Sequence, residues 1–196
     1  IQFRRLIKNA TPIMLPAALA LHFGQPLCTA LKTPDGVVIR TTEHLLAALR
    51  ACSIDDALVE LDSEELPILD GSAQPWVAAI LAAGREELPV AQRFIEVIEP
   101  VEWADGPHHL RIEPASTPGL ELDVTMTMKD IGQWHWQGTL TPESFRRGIA
   151  AARSFGRAKL AIPAMFYGLA RGIPILRGAG PWCAATLIGR KVIGGR

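Results

Sequence analysis

The spacing of apolar and polar residues changes several times along the chain, and each change predicts an element. Ile1-Gln2-Phe3-Arg4-Arg5 alternates as a strand does. Val37-Val38-Ile39 is a β-branched run behind the turn pair Asp35-Gly36, and it predicts a second strand. From Thr41 the period lengthens. Thr41-Thr42 offers N-caps, Glu43 puts a negative charge in the first helical turn, and His44 to Leu49 continues as a short helix with an apolar face. Ser53 to Leu61 predicts a strand with Leu58 and Glu60 on one face and Val59 and Leu61 on the other. Pro67 to Ser72 reads as a turn into a helix from Gln74 to Ala83, with Pro75 near its start, Trp76, Ile80 and Ala83 on one side, and Gly84 as its stop.

Glu86 to Val90 is polar and contains a proline, so it reads as a linker. Strands are predicted over Phe94–Val101, Leu110–Ile112 and Leu120–Met128, the last alternating throughout. Thr141 caps a helix with Pro142 at its first position and Ser144–Ala152 as its body, and Gly156 is expected to close it. Lys159–Ala170 is apolar but interrupted by Pro163 and Gly168, and Ala184–Ile188 is strand-like. The order of strands and helices, given twice, predicts two α+β units, residues 1–90 and 91–196. Both ends read as chain interior, so the sequence is expected to be a fragment, short at each terminus.

Composition narrows the classes. The 196 residues and 21.3 kDa allow one full domain or two small ones. Twenty basic and twenty acidic residues cancel, which argues against a basic face for nucleic acid. Hydrophobic residues at 48% against 20% charged are enough for a real core. No apolar run approaches the roughly 18–20 residues of a membrane span, so no transmembrane segment is expected. Cys28, Cys52 and Cys183 are too few and scattered for a disulfide framework, and suit a reducing compartment.

Glu43-His44 is the sharpest chemical pair. An imidazole ligates zinc well and a neighbouring carboxylate can take a proton from water, but local chemistry alone favours a surface charge beside a partly buried histidine. His22, His108, His109 and His135 show no ligand spacing relative to His44, and His108-His109 follows a hairpin turn. Asp70-Gly71-Ser72 reads as a functional loop or as a plain turn. Ser154 reads unaided as a cap or core contact. Trp134-His135-Trp136 reads either as a stacking platform or as an exposed hairpin strand with one buried tryptophan.

Taken together, five segments resemble the UDP-3-O-acyl-N-acetylglucosamine deacetylase family. They are Leu27-Cys28-Thr29, Thr42-Glu43-His44-Leu45-Leu46-Ala47-Ala48-Leu49, Ile54-Asp55-Asp56-Ala57-Leu58-Val59-Glu60, Pro67-Ile68-Leu69-Asp70-Gly71-Ser72-Ala73-Gln74-Pro75-Trp76 and Ala152-Arg153-Ser154-Phe155-Gly156, in the family's order. The resemblance implies an α+β fold of two tandem two-layer sandwich domains, each with a mixed sheet packed on helices. It implies zinc-dependent removal of acetate from a UDP-linked acylated glucosamine in the lipid A pathway of Gram-negative bacteria, by a cytoplasmic monomer. On matching positions it implies His44 as a zinc ligand, Glu43 as general base and Ser154, where members have threonine, as a donor to the oxyanion. It further implies substrate contacts from Leu27, Cys28 and Phe155, and a supporting role for Asp70.

The sequence also departs from the family. The other two zinc ligands of members lie in an H-K-x-x-D helix that this sequence does not reach, so the fragment alone is expected to be inactive. Residues Phe155 to Ile162 lack the acids of the family's F-G-F-x-x-D-V-E stretch, Ile98 stands for a nucleotide-binding lysine, and Gly178 to Ala184 replaces G-G-S-x-D-N-A. The alternative expectation is therefore a catalytically inactive relative that binds a nucleotide-sugar, an acyl chain or a protein, with Trp182 and the Pro163 segment reshaping the acyl tunnel.

Overall fold

The computed structural model describes residues 1–92, 94–117, 119–128, 132–159, 163, 166, 183–188 and 191–194. Helices and strands mix in an α+β fold, with the strands among the described residues gathered into five small sheets. In the first, β1 (Gln2–Arg5) lies between β2 (Ile13–Pro16), antiparallel to it, and β6 (Leu58–Leu61), parallel to it. The alternation of β1 turns Phe3 inward, where it is fully buried. The second sheet is a meander of β3 (His22–Phe23), β4 (Ala30–Lys32) and β5 (Val38–Arg40).

Helix α1 (Glu43–Ala51) follows β5 and buries Leu45, Ala48, Leu49 and Ala51, a stripe of helical period. Leu45 and Leu49 close one core with Phe3, Leu15, Leu31, Ile39, Leu61 and Leu66. The helix ends with Ser53 at φ +56°, the Ser53 N–H donating to the Arg50 carbonyl at 3.1 Å and the Ile54 N–H to the Leu49 carbonyl at 2.9 Å. This reciprocal helix-ending motif uses up the residues expected to open a strand, so β6 begins only at Leu58. Neither Thr41 nor Thr42 caps α1 as expected, because both hydroxyls are drawn to other partners.

Helix α2 (Gln74–Ala83) has the predicted bounds, with Pro75 in its first turn and Gly84 at φ +79° past its end. Its buried residue is Val77, with Trp76 and Ile80 packed against two cores, whereas Ala83 is exposed. The second core comprises Ala48, Ala51, Cys52, Ala73, Val77, Phe145 and Ala150, and so joins α1 and α2 to the far part of the chain.

Residues 94–100 form no strand, against expectation. Phe94, Ile95 and Ile98 are 75%, 99% and 84% exposed, and pairing starts at β7 (Val101–Asp105), which meets β8 (His108–Ile112). A strand needs a partner for its main-chain groups, whatever its propensity. His108 and His109 are exposed on β8 itself, just past the turn. The second ribbon is β9 (Leu120–Met128), as predicted, with β10 (Gly132–Leu140). Trp134 and His135 are exposed on β10 and Trp136 is half-buried, so the segment is a hairpin strand but neither tryptophan is fully buried.

Thr141 caps the one-turn helix α3 (Pro142–Ser144) reciprocally. Its Oγ1 accepts the Ser144 N–H at 3.0 Å, and Ser144 Oγ accepts the Thr141 N–H at 2.8 Å. The chain then widens into a π turn over Phe145–Ile149, closed by the Ala150 N–H on the Phe145 carbonyl at 2.7 Å. That wider turn, shorter than the expected helix, delivers both Phe145 and Ala150 to the second core. Gly156 is not a helix cap: it lies in β11 (Phe155–Arg157), parallel to β12 (Ala185–Ile188), which in turn pairs with β13 (Lys191–Ile193). Most of the expected helix Lys159–Ala170, and Trp182, lie outside the described residues. Among the described residues no helix is long and apolar enough to cross a membrane.

Candidate functional site

The sharp entry into α1 is made by Thr41, a β-branched residue at φ +61°, outside the conformations such residues favour. Its buried hydroxyl donates to Glu65 Oε1 at 3.0 Å, and the Leu66 N–H reaches the Arg40 carbonyl at 3.1 Å, so neighbouring chain holds the turn. Thr29 fixes the two residues after it. Its N–H donates to Glu43 Oε2 at 3.0 Å, and its carbonyl accepts from the Thr42 N–H at 3.2 Å and hydroxyl at 3.3 Å. One carboxylate oxygen of Glu43 is thereby tethered, and the other, Oε1, stands 4.0 Å from His44 Nε2.

Ser154 comes to the same point from 110 residues away, its Oγ 3.4 Å from His44 Nε2. The hydroxyl donates to that nitrogen when the ring carries its proton on Nδ1. Main-chain bonds hold Ser154 on both sides: its N–H donates to the Gly71 carbonyl at 3.0 Å, and its carbonyl accepts the Ala185 N–H at 2.8 Å. Side-chain exposure of 12% for His44 and 33% for Glu43 leaves both within reach of solvent, and Ser154 is exposed.

Beneath lies the Asp70 loop. Asp70 Oδ1 accepts the Ser72 N–H at 3.0 Å and hydroxyl at 2.7 Å, which ties the turn to itself. Arg153 Nη2 lies 3.7 Å from Asp70 Oδ2, so the residues flanking the Gly71–Ser154 bond face each other as an ion pair. Gly71, at φ +78°, lies against Cys183, whose carbonyl oxygen would fall 1.5 Å from a Cβ at that position. No side chain larger than hydrogen fits there.

Of the remaining residues singled out by sequence, Leu27 is at φ +72° and 62% exposed, and Cys28 is half-buried with Gln25 Nε2 2.6 Å from its sulfur. Phe155 is half-exposed at the start of β11, next to Ser154. His22, His108, His109 and His135 are exposed, the last 2.9 Å from Asp123 Oδ1. Among the described residues no group of three or more His, Cys, Asp and Glu converges. Sequence reasoning missed Thr29 and Arg153. Thr29 acts through its main chain, which side-chain type does not reveal; Arg153 carried a signal, a charge beside Ser154 that needs a partner.

An imidazole, a carboxylate and a hydroxyl meeting at one solvent-reached point form a set that hydrolytic sites use, carried here on an α+β frame. The chain matches the family model described as UDP-3-O-acyl N-acetylglycosamine deacetylase over residues 1–175, and it belongs to that family. It is 40% identical over 158 residues to the UDP-3-O-acyl-N-acetylglucosamine deacetylase of Aliivibrio fischeri, covering 79% of this chain and 51% of that protein. Similar relatives of the same description are those of Histophilus somni, 37% identical over 154 residues with 76% and 49% covered, and Shewanella woodyi, 36% over 146 residues with 74% and 48% covered. The chain spans about half the length of the curated relatives it matches.

Proposed function

We propose that this chain carries part of the active site of a zinc-dependent deacetylase that hydrolyses the N-acetyl amide of UDP-3-O-acyl-N-acetylglucosamine in lipid A biosynthesis. The observation that supports it most is the convergence of Glu43, His44 and Ser154, in a member of that family. His44 fits one place in a zinc site, since its imidazole is within reach of solvent and its Nε2 lies beside a carboxylate oxygen, and a catalytic zinc takes three such protein ligands with a fourth position open. When bound, the metal would polarise the acetyl carbonyl.

Glu43 takes a proton from water as its oxygen bonds to the acetyl carbon. The tether from the Thr29 N–H leaves Oε1 of Glu43 for that work. The Ser154 hydroxyl donates to the oxyanion that develops on the carbonyl oxygen. Breaking of the C–N bond sends the proton from Glu43 to the departing amine, leaving acetate and a free amino sugar. Leu27, Cys28 and Phe155 contact the substrate, and Asp70 supports the site through the loop bonded to Ser154. The protein works as a cytoplasmic monomer, with residues 1–90 and 91–196 as two tandem α+β sandwich domains. The exposed, strandless stretch 94–100 supports a division near that point.

The test is acetate release and zinc content of the protein expressed from its full reading frame. Glu43→Ala is expected to lower the rate by roughly 10²–10⁴-fold with zinc retained. Substrate binding with no acetate release in the unaltered protein would instead identify a non-catalytic binding relative.

A further inference from the structure

We infer that Arg153 is a positioning residue that holds the Ser154 hydroxyl beside His44 through the Asp70 loop. Its side chain is 14% exposed and spans three segments. Nη2 faces Asp70 Oδ2 at 3.7 Å, Nη1 donates to the Gly194 carbonyl at 3.1 Å, and Nε is buried with no partner among the described residues. A guanidinium held this far from water gains from a charged partner, and Asp70 is that partner.

The geometry makes the ion pair a clamp on its neighbours. Asp70 precedes Gly71, whose carbonyl accepts the Ser154 N–H, and Ser154 follows Arg153, so the charged pair and the 3.0 Å main-chain bond close a short ring. The loop has little freedom to rearrange, because Ser72 is tied to Asp70 Oδ1 and Gly71 lies hard against the Cys183 carbonyl. With the ring closed, Ser154 Oγ stands 3.4 Å from His44 Nε2; with it open, the Gly71 and Ala185 bonds are what holds the Ser154 backbone among the described residues. Among the described residues the polar partners of Arg153 are Asp70 and Gly194, not His44 or Glu43, so it acts through Ser154.

The inference rests on the deacetylase reading for the role of Ser154, but its test reads geometry and not acetate. In metal-free protein of the full reading frame, labelled with ¹⁵N-histidine and held at one pH, the His44 Nε2 resonance reports the Ser154 contact. Ser154→Ala, Arg153→Ala and Asp70→Asn are each expected to move it in the same direction, and Arg153→Ala/Ser154→Ala no further than Ser154→Ala alone. Arg153→Lys should return it part of the way. Where Arg153→Ala does not fold, Asp70→Asn carries the test, since it keeps an oxygen for Ser72 and removes the charge. A His44 signal that Ser154→Ala moves but Arg153→Ala and Asp70→Asn do not would overturn the inference, as would additive shifts in the double variant. Failure of the deacetylase reading would show separately, as absence of acetate with this pattern of shifts intact.

Discussion

Strand β1 and the ribbons β7–β8 and β9–β10 are built from similarly alternating sequence, yet they reach different physical states. Phe3 on β1, like Leu15 and Ile39 on β2 and β5, is fully buried. In the ribbons, Trp103 pairs with Leu110, Val101 with Ile112, and Met126 with Trp134, so each ribbon has an apolar face. There, Trp103, Leu110 and Trp134 remain 54%, 53% and 48% exposed. Alternation decides which face is apolar, but only a second layer buries it. The first part of the chain has that layer in α1, which crosses back over its sheets, and the seam at Gly71, Ser154 and Cys183 ties it to the later part.

The contrast can be broken most severely at the seam. Gly71→Ala puts a methyl into the Cys183 carbonyl at a positive φ, and is expected to cost at least about 4 kcal/mol in chemical denaturation. A small effect would mean that the two parts are not joined there. Phe3→Ala should cost about 3–5 kcal/mol by the same measurement, because it opens a cavity in a closed core. Trp103→Ala should fall within about 0.5 kcal/mol of the unaltered chain, as an exposed side chain should. A loss of several kcal/mol would show the ribbon face covered in solution and erase the contrast.

The smallest effect concerns Cys52. Burial pushes its thiol above the usual range, against weaker opposition from Arg146 and Arg85. The unfolded thiol then ionises first, so the Cys52 contribution to stability is complete below the ordinary thiol range and is lost as pH rises through and beyond it. Native alkylation followed by mass spectrometry at about pH 8, near the ordinary thiol range, should modify half-buried Cys28 well before Cys52 and Cys183. Equal rates would show the second core to be open.

How much was legible depends on the range of each interaction. Helix α2 between Pro75 and Gly84 and the N-cap at Thr141 rest on neighbours within a few residues, and both were readable from the chain; strand β9 and the start of α1 at Glu43 were readable from local pattern although more distant residues hold them. The end of α1 was not, because Ser53 adopts a left-handed conformation that glycine or asparagine usually signals. The strand expected at Phe94 finds no pairing partner among the described residues. In the candidate site, Glu43 and His44 are adjacent in sequence and visible as a pair, and Ser154 was marked only by its likeness to a family motif.

What the sequence determined by itself is therefore the inventory: an α+β chain, two helices with their starts, and an acid–imidazole pair at a helix start. Tertiary structure alone decided that Thr42 turns its hydroxyl to the Thr29 carbonyl, that the Thr29 N–H tethers one oxygen of Glu43, and that Ser154 meets His44 across 110 residues. The physical reason is that these contacts depend on where main-chain carbonyls and amides point once the layers have packed. Every residue other than proline carries the same main-chain groups, so residue identity along the chain does not encode their direction.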